Sequence, residues 1–268
     1  MRLVTHLTGD KSFKLATLSV LGLLVLYLVL IMASLVAYTD QHALFSILVS
    51  DEILFAIKLS VSTATIATIL SMVIAVPVAY AVSQASFPGK DIVDTILDLP
   101  IVISPVALGA ALLVFFNTPI GRTVEKGLFN FVFEVPGIIL AQFTVVVALA
   151  IRLLKSTFDS INPRYEQVGR TLGCSKAQVF LRVVLPLAKN GLIAAAVLTW
   201  ARAIGEFGAT VTLAGATKMK TETLPVAIFL NLATADIERA VALIFILVAI
   251  AAGALLALRR ISGRRQQI

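Results

Sequence analysis

Residues 162–186 read NPRYEQVGRTLGCSKAQVFLRVVLP, the longest polar interruption in a chain otherwise made of membrane-length apolar runs. Asn162 and Pro163 make a helix start, because an Asn side chain accepts an orphan backbone N–H and Pro in the first turn gives up no hydrogen bond. Tyr165, Val168 and Leu172 then share one face of a short helix, with Arg164, Glu166, Gln167, Arg170 and Thr171 on the other. Glu166 precedes Arg170 by four residues, the favourable order for a helical ion pair. Gly173 suits a left-handed C-terminal turn. Ser175 and Gln178 have capping-box spacing, and Val179, Phe180, Val183, Val184 and Leu187 form a second apolar stripe that Pro186 kinks or ends. The segment predicts two amphipathic helices joined at Gly173, a shape suited to docking another protein. The same residues also suit a solvated loop whose basic residues only set topology.

Outward from this stretch the chain is a membrane protein. Of its 268 residues 59% are hydrophobic and 14% charged, with mean hydropathy +0.99, a composition that soluble domains do not reach. The fold class is all-α polytopic with six transmembrane helices. The apolar runs place the spans near 15–37, 59–82, 99–116, 135–154, 191–214 and 240–258, with an inner loop at 155–186. The stretch 224–235 is too short to cross and reads as a re-entrant or interfacial segment on the outer side. Ser60, Ser62, Thr63, Ala64, Thr65, Ala67 and Thr68 make the second span one that packs against other helices, and Pro77 should bend it. Phe87-Pro88-Gly89-Lys90 reads as a tight turn.

Thirteen Lys and Arg fall in the inner segments and five in the outer ones, which predicts that both termini and the 155–186 loop are cytoplasmic. That asymmetry, rather than nucleic-acid binding, accounts for the net charge of +7. A cleaved signal peptide is disfavoured by the length of the first run. One Cys and two His exclude a disulfide framework and leave no ligand set for zinc. Cys174 reads as a free thiol in a reducing cytoplasm. No internal repeat or second domain is visible, so 1–268 is a single transmembrane domain.

Two intramembrane features carry chemistry. Pro100, Pro105 and Gly109 make the start of the third span irregular, either a kink in a packed helix or a wall of a permeation path. The fifth span contains Trp200-Ala-Arg-Ala-Ile-Gly-Glu-Phe-Gly-Ala-Thr210, with Arg202 and Glu206 four apart. A charge in mid-membrane costs about 2.5 to 3.5 kcal/mol or more, so a pair there marks a functional site unless the helix ends near Ile204 and the pair meets interfacial water. Arg202 could attract an anion at a gate or serve only as the partner of Glu206. The chain has no GxxxxGK[ST] loop for nucleotide phosphates and no credible catalytic set, so it is no enzyme by itself.

The spacing Gly173, nine residues, Val183, one residue, Leu185-Pro186 resembles the cytoplasmic EAA loop of membrane-spanning subunits of ABC importers. Gln167, Val168 and Gly169 stand at the Glu-Ala-Ala positions, a departure that removes the usual glutamate. Pro77, the 87–90 turn, Leu99-Pro100, Pro105, Thr171-Leu172-Gly173, Leu185-Pro186 and Gly205-Glu206-Phe207-Gly208-Ala209-Thr210 are similar in order and spacing to oxyanion permeases. They look most like the molybdate and tungstate permeases, with the sulfate permeases close behind. The resemblance implies a type I ABC importer permease in the cell membrane. It implies a homodimer, two cytoplasmic ABC ATPase subunits that bind ATP and Mg, and an extracytoplasmic binding protein that delivers the anion. It implies that Tyr165, Glu166, Gln167, Val168, Gly169, Leu172, Gly173, Leu185 and Pro186 couple to the ATPase. Pro105, Arg202, Glu206, Phe207, Gly208 and Thr210 would line the path or gate. The alternative is a secondary anion carrier using Arg202 and Glu206, weakened by the lack of a second half of inverted topology. A structural or assembly protein of the membrane is a third reading.

Overall fold

The computed structural model describes residues 3–38, 50–84 and 88–263. Its helices are α1 Leu3–Tyr38, α2 Asp51–Gln84, α3 Lys90–Val102, α4 Pro105–Asn117, α5 Pro119–Gly127, α6 Val135–Asp159 and α7 Arg164–Thr171. They are followed by α8 Lys176–Leu187, α9 Lys189–Ile204, α10 Gly208–Ala214, α11 Leu224–Ala233 and α12 Ile237–Gly263. Four helices are long and apolar enough to cross a membrane, and the count reaches six if each of two bent helix pairs is one span.

α2 and α6 are the centre of the bundle, in more extensive contact with each other than any other pair. Leu59 shares a buried cluster with Ile138, Ala64 with Ala141 and Val145, and Ala75 with Ala150 and Leu154. The two helices therefore run in the same direction. α9 runs against them, since Ala195 joins the cluster of Ala75 and Leu154 while Ala203 joins that of Ala64 and Ala141. Ser60, Thr63, Ala64, Ala67 and Thr68 are buried as the sequence predicts, and Ser62 and Thr65 face outward. Inside the bundle the Thr63 and Thr68 hydroxyls donate to the carbonyls of Leu59 and Ala64 on their own helix. Small buried residues let the backbones approach, and returning these two hydroxyls to their own helix leaves neither loose.

The third span differs from a single helix over 99–116. α3 runs through Pro100 to Val102, the chain is extended at Ile103 and Ser104, and α4 leaves at 108°. Ser104 caps the new helix by accepting the Ala107 N–H at 3.3 Å, with Pro105 in its first turn. α3 buries none of its residues and is fastened to α6 through Arg152, which pairs with Asp98 and donates to the Asp94 carbonyl at 3.0 Å. The fifth span is likewise broken: α9 stops at Ile204 and α10 begins at Gly208. Pro77 lies inside an uninterrupted α2, and the segment 117–134, expected to be a loop, contains α5. Gly89 has φ +87° and ψ 5°, the geometry of the third residue of a type II turn, whereas Phe87 and most of the 38–52 segment lie outside the described residues. α11 is short and apolar, and its first turn, Leu224 to Ala227, is buried against α2 and α12. α1 is exposed along its apolar length and touches α12 through the neighbourhood of Leu28, Met32, Phe245 and Val248.

Candidate functional site

At the C-terminal ends of α2 and α6 the chain builds the predicted pair of short helices. Asn162 Oδ1 accepts the Arg164 N–H at 3.0 Å, and Gly173 turns with φ +87°. Ser175 and Gln178 close both bonds of the capping box, at 2.8 and 3.2 Å. Arg170 Nη1 donates to the Cys174 carbonyl at 2.9 Å, bracing the turn from the side. Gly169 is buried because a Cβ there would meet Val179 Cγ2 at 3.0 Å, so α7 and α8 cross in close contact.

The two apolar stripes have different roles. Val179 and Val184 are buried with Ala75, Ala79, Leu154 and Phe158, and the Phe180 ring lies 4.5 Å from that of Tyr80. This second stripe anchors the knob to the bundle. The first stripe has no cover: Tyr165, Val168 and Leu172 are 56, 57 and 79% exposed. Three large apolar side chains on one face of a polar helix form a surface that suits a partner's hydrophobic cleft.

Of the two outcomes expected at Pro186, a kink or an end, α8 does not end there. It passes through a π turn over Phe180–Val184, with the Leu185 N–H reaching the Phe180 carbonyl, and continues to Leu187. Proline has no N–H to give, and a π turn ahead of it accommodates the loss. The axis then changes by 72° into α9. Leu185 is half-buried and Pro186 exposed. Glu166 is turned back to the bundle: its Oε2 accepts from Tyr80 OH and its Oε1 from Gln84 Nε2, both at 3.0 Å. Gln167 remains exposed.

The second assembly lies where α4 meets the break between α9 and α10. Arg202 Nη1 is 2.7 Å from Glu206 Oε2, and Glu206 is 1% exposed. The helix does end at Ile204, yet the carboxylate is buried rather than in interfacial water. Glu206 Oε1 accepts the Ala209 N–H at 3.0 Å and so caps α10. Gly208 faces Pro105 and Val106, where a Cβ would stand 2.9 Å from Val106 Cγ2. Gly109 faces Ala209, with only 2.8 Å from a built Cβ to its Cα and carbonyl oxygen. The two glycines thus allow α4 and α10 to touch along their backbones. Phe207 packs on Phe229 of α11 at 5.2 Å between ring centroids. Pro105, Arg202, Glu206, Phe207, Gly208 and Thr210 are therefore brought together at one junction.

Several polar groups near this region escaped the sequence reading. Gln142 of α6 is fully buried with both amide atoms unpartnered, and the hydroxyls of Ser71 and Thr199 are buried without partners, as is that of the predicted Thr210. Uncharged residues spaced along long apolar helices give no sequence signal that sets them apart from packing. At the end of the bundle opposite the short-helix pair, Lys218 pairs with Glu52 at 2.8 Å and Lys220 with Glu134 at 2.5 Å, which fastens the α10–α11 loop to the starts of α2 and α6. The Leu224 N–H donates to Ser60 Oγ at 2.7 Å beneath it. Glu222 of this loop is 1% exposed; its Oε2 accepts the Met219 N–H, and burial raises its pKa above the ordinary carboxylate value. Among the described residues no three His, Cys, Asp or Glu side chains gather to hold a metal.

Residues 67–266 match the family described as binding-protein-dependent transport system inner membrane component. A probable molybdenum ABC transporter permease protein of Haloferax volcanii is 35% identical over 254 residues, covering 94% of this chain and 91% of its own length. The molybdenum transport system permease protein ModB of Mycobacterium bovis is 37% identical, over 74% of this chain and 75% of its own. Among solved structures, a bacterial alginate ABC transporter in complex with its pentasaccharide-bound periplasmic protein shares the fold. Its TM-score is 0.78 at 17% identity, covering 100% of this chain and 99% of that one.

Proposed function

Since the chain belongs to the binding-protein-dependent transport system inner membrane components, the permeases of ABC transporters, we propose that it forms the translocation path of an importer for molybdate. Tungstate shares the path. The anion arrives from an extracytoplasmic binding protein, two copies of the chain make the path, and two cytoplasmic ATPase subunits bind ATP and Mg. The termini and the α7–α8 knob lie in the cytoplasm. The molybdenum permeases among the relatives support the choice of anion.

The observation that carries this reading is the bare stripe of Tyr165, Val168 and Leu172 on a knob anchored to the bundle through Glu166, Val179 and Phe180. A load applied to that stripe is passed to the inner ends of α2 and α6. Carrying an inward-facing to outward-facing equilibrium from 1:99 to 99:1 takes about 5.5 kcal/mol of differential binding. ATP-driven closure of the ATPase pair supplies it through the two knobs. The interruptions at residues 103–104 and 205–207 are where the helices facing the path can change angle without breaking regular hydrogen bonds. Arg202, 40% exposed, is the cation available to an oxyanion there.

Reconstitution of the permease with its ATPase subunits and binding protein in lipid vesicles tests the proposal. Molybdate uptake is expected to require ATP and the binding protein, and to be competed by tungstate more strongly than by sulfate. Uptake by the permease alone under an ion gradient would replace this reading with a secondary carrier.

A further inference from the structure

Resting on the reading of α7 as the docking helix, we infer that the ATPase socket is acidic and places a carboxylate in the cleft between the inner end of α2 and the α7–α8 knob. The cleft measures about 800 Å³ and is lined by Tyr80, Gln84, Glu166, Gln167, Arg170 and Lys176 among others. From residue 160 to 190 the sequence has five cations, Arg164, Arg170, Lys176, Arg182 and Lys189, and one carboxylate, Glu166. That carboxylate is occupied, since Tyr80 and Gln84 each donate to one of its oxygens. Arg170 gives Nη1 to the Cys174 carbonyl, which leaves its other N–H groups for a partner. Lys176 is exposed and has no acceptor among the described residues. The neutral Gln167 lines the same cleft.

A partner carboxylate entering the cleft meets two cations and two amides, and the one carboxylate present is already shielded by its donors. A partner cation would meet Glu166 alone, with one donor already on each of its oxygens, against the repulsion of Arg170 and Lys176. The polarity of the contact is thus cation on the permease and carboxylate on the ATPase. The apolar stripe supplies affinity, and the charges set orientation and association rate.

The test uses the permease and its own ATPase subunits in detergent, with association followed as salt is varied. Lys176→Glu is expected to weaken association at low salt at least about tenfold and to flatten the salt dependence, and Lys176→Gln to fall between. Replacing a socket carboxylate by Lys is expected to restore binding to Lys176→Glu. Leu172→Glu is the control, expected to abolish association whatever the sign of the socket. Unchanged association and salt dependence in Lys176→Glu, with Leu172→Glu inactive, overturns the acidic socket and leaves the docking role standing. Normal association of Leu172→Glu overturns the docking role itself. If Lys176→Glu instead loses binding to vesicles of anionic lipid while ATPase association is unchanged, the cleft belongs to a lipid headgroup and the inference fails.

Discussion

Arg202 and Glu206 form an ion pair across the point where α9 ends, while the second oxygen of the same carboxylate holds the Ala209 N–H at the start of α10. One buried side chain therefore closes two helix ends. Glu206→Gln keeps an acceptor for Ala209 and loses the ion pair, whereas Glu206→Ala loses both. We expect Glu206→Ala to be the less stable by about 1–3 kcal/mol, the cost of one buried N–H left unmet, read by thermal unfolding in detergent. Exchanging the two residues is expected to fail even with the pair restored, because a guanidinium has no acceptor for Ala209.

The contact between α4 and α10 depends on having no side chain at two positions. Gly109→Ala sets a Cβ 2.8 Å from the Ala209 backbone, and overpacking of this kind costs about 1–3 kcal/mol. The helices must separate or the junction must shift, so uptake is expected to fall with membrane insertion intact. Gly253→Ala, where nothing lies within 4 Å, is the control and should transport normally.

The knob depends on Gly173 for its turn. Its φ of +87° disfavours any residue with a Cβ by about 1–2 kcal/mol, and Asn is the mildest replacement. Gly173→Val is expected to uncouple ATP hydrolysis from uptake, with Gly173→Asn retaining most coupling. Space is not the issue, since nothing lies within 4 Å of a built Cβ.

Glu222, in the loop between α10 and α11, makes stability depend on pH. Its pKa in the folded chain is raised above the reference 4.5, first by burial. The folded state therefore holds the proton to higher pH than the unfolded state does, and stability falls as pH rises through the folded pKa. Glu222→Gln removes this dependence and is expected to be the more stable form at neutral pH. A steeper loss of stability with rising pH in Glu222→Gln would contradict the assignment.

What the sequence made legible was local. The capping box of Ser175 and Gln178, the Gly173 turn and the Asn162 cap depend on residues within a few positions of each other, and each formed as read. The breaks in the third and fifth spans were harder. Pro105 marked an irregularity, but the 108° turn depends on Ser104 capping α4, and the fifth-span gap depends on Glu206 doing the same for α10. Polarity alone placed Glu166 on the outer face of its helix. The structure turns it inward, because its partners Tyr80 and Gln84 are more than 80 residues away in sequence. The same distance hid the division of labour between the stripes, one buried on Phe158 and Ala75, the other bare.

The proposed function requires the knob to face the cytoplasm and to be covered by an ATPase subunit. The chain's single cysteine, Cys174, sits half-buried in the knob's turn and reports both with a membrane-impermeant maleimide. Labelling is predicted in inside-out vesicles stripped of ATPase subunits, with none in right-side-out vesicles and protection once the subunits rebind. Labelling of Cys174 from the outside of intact cells would contradict it.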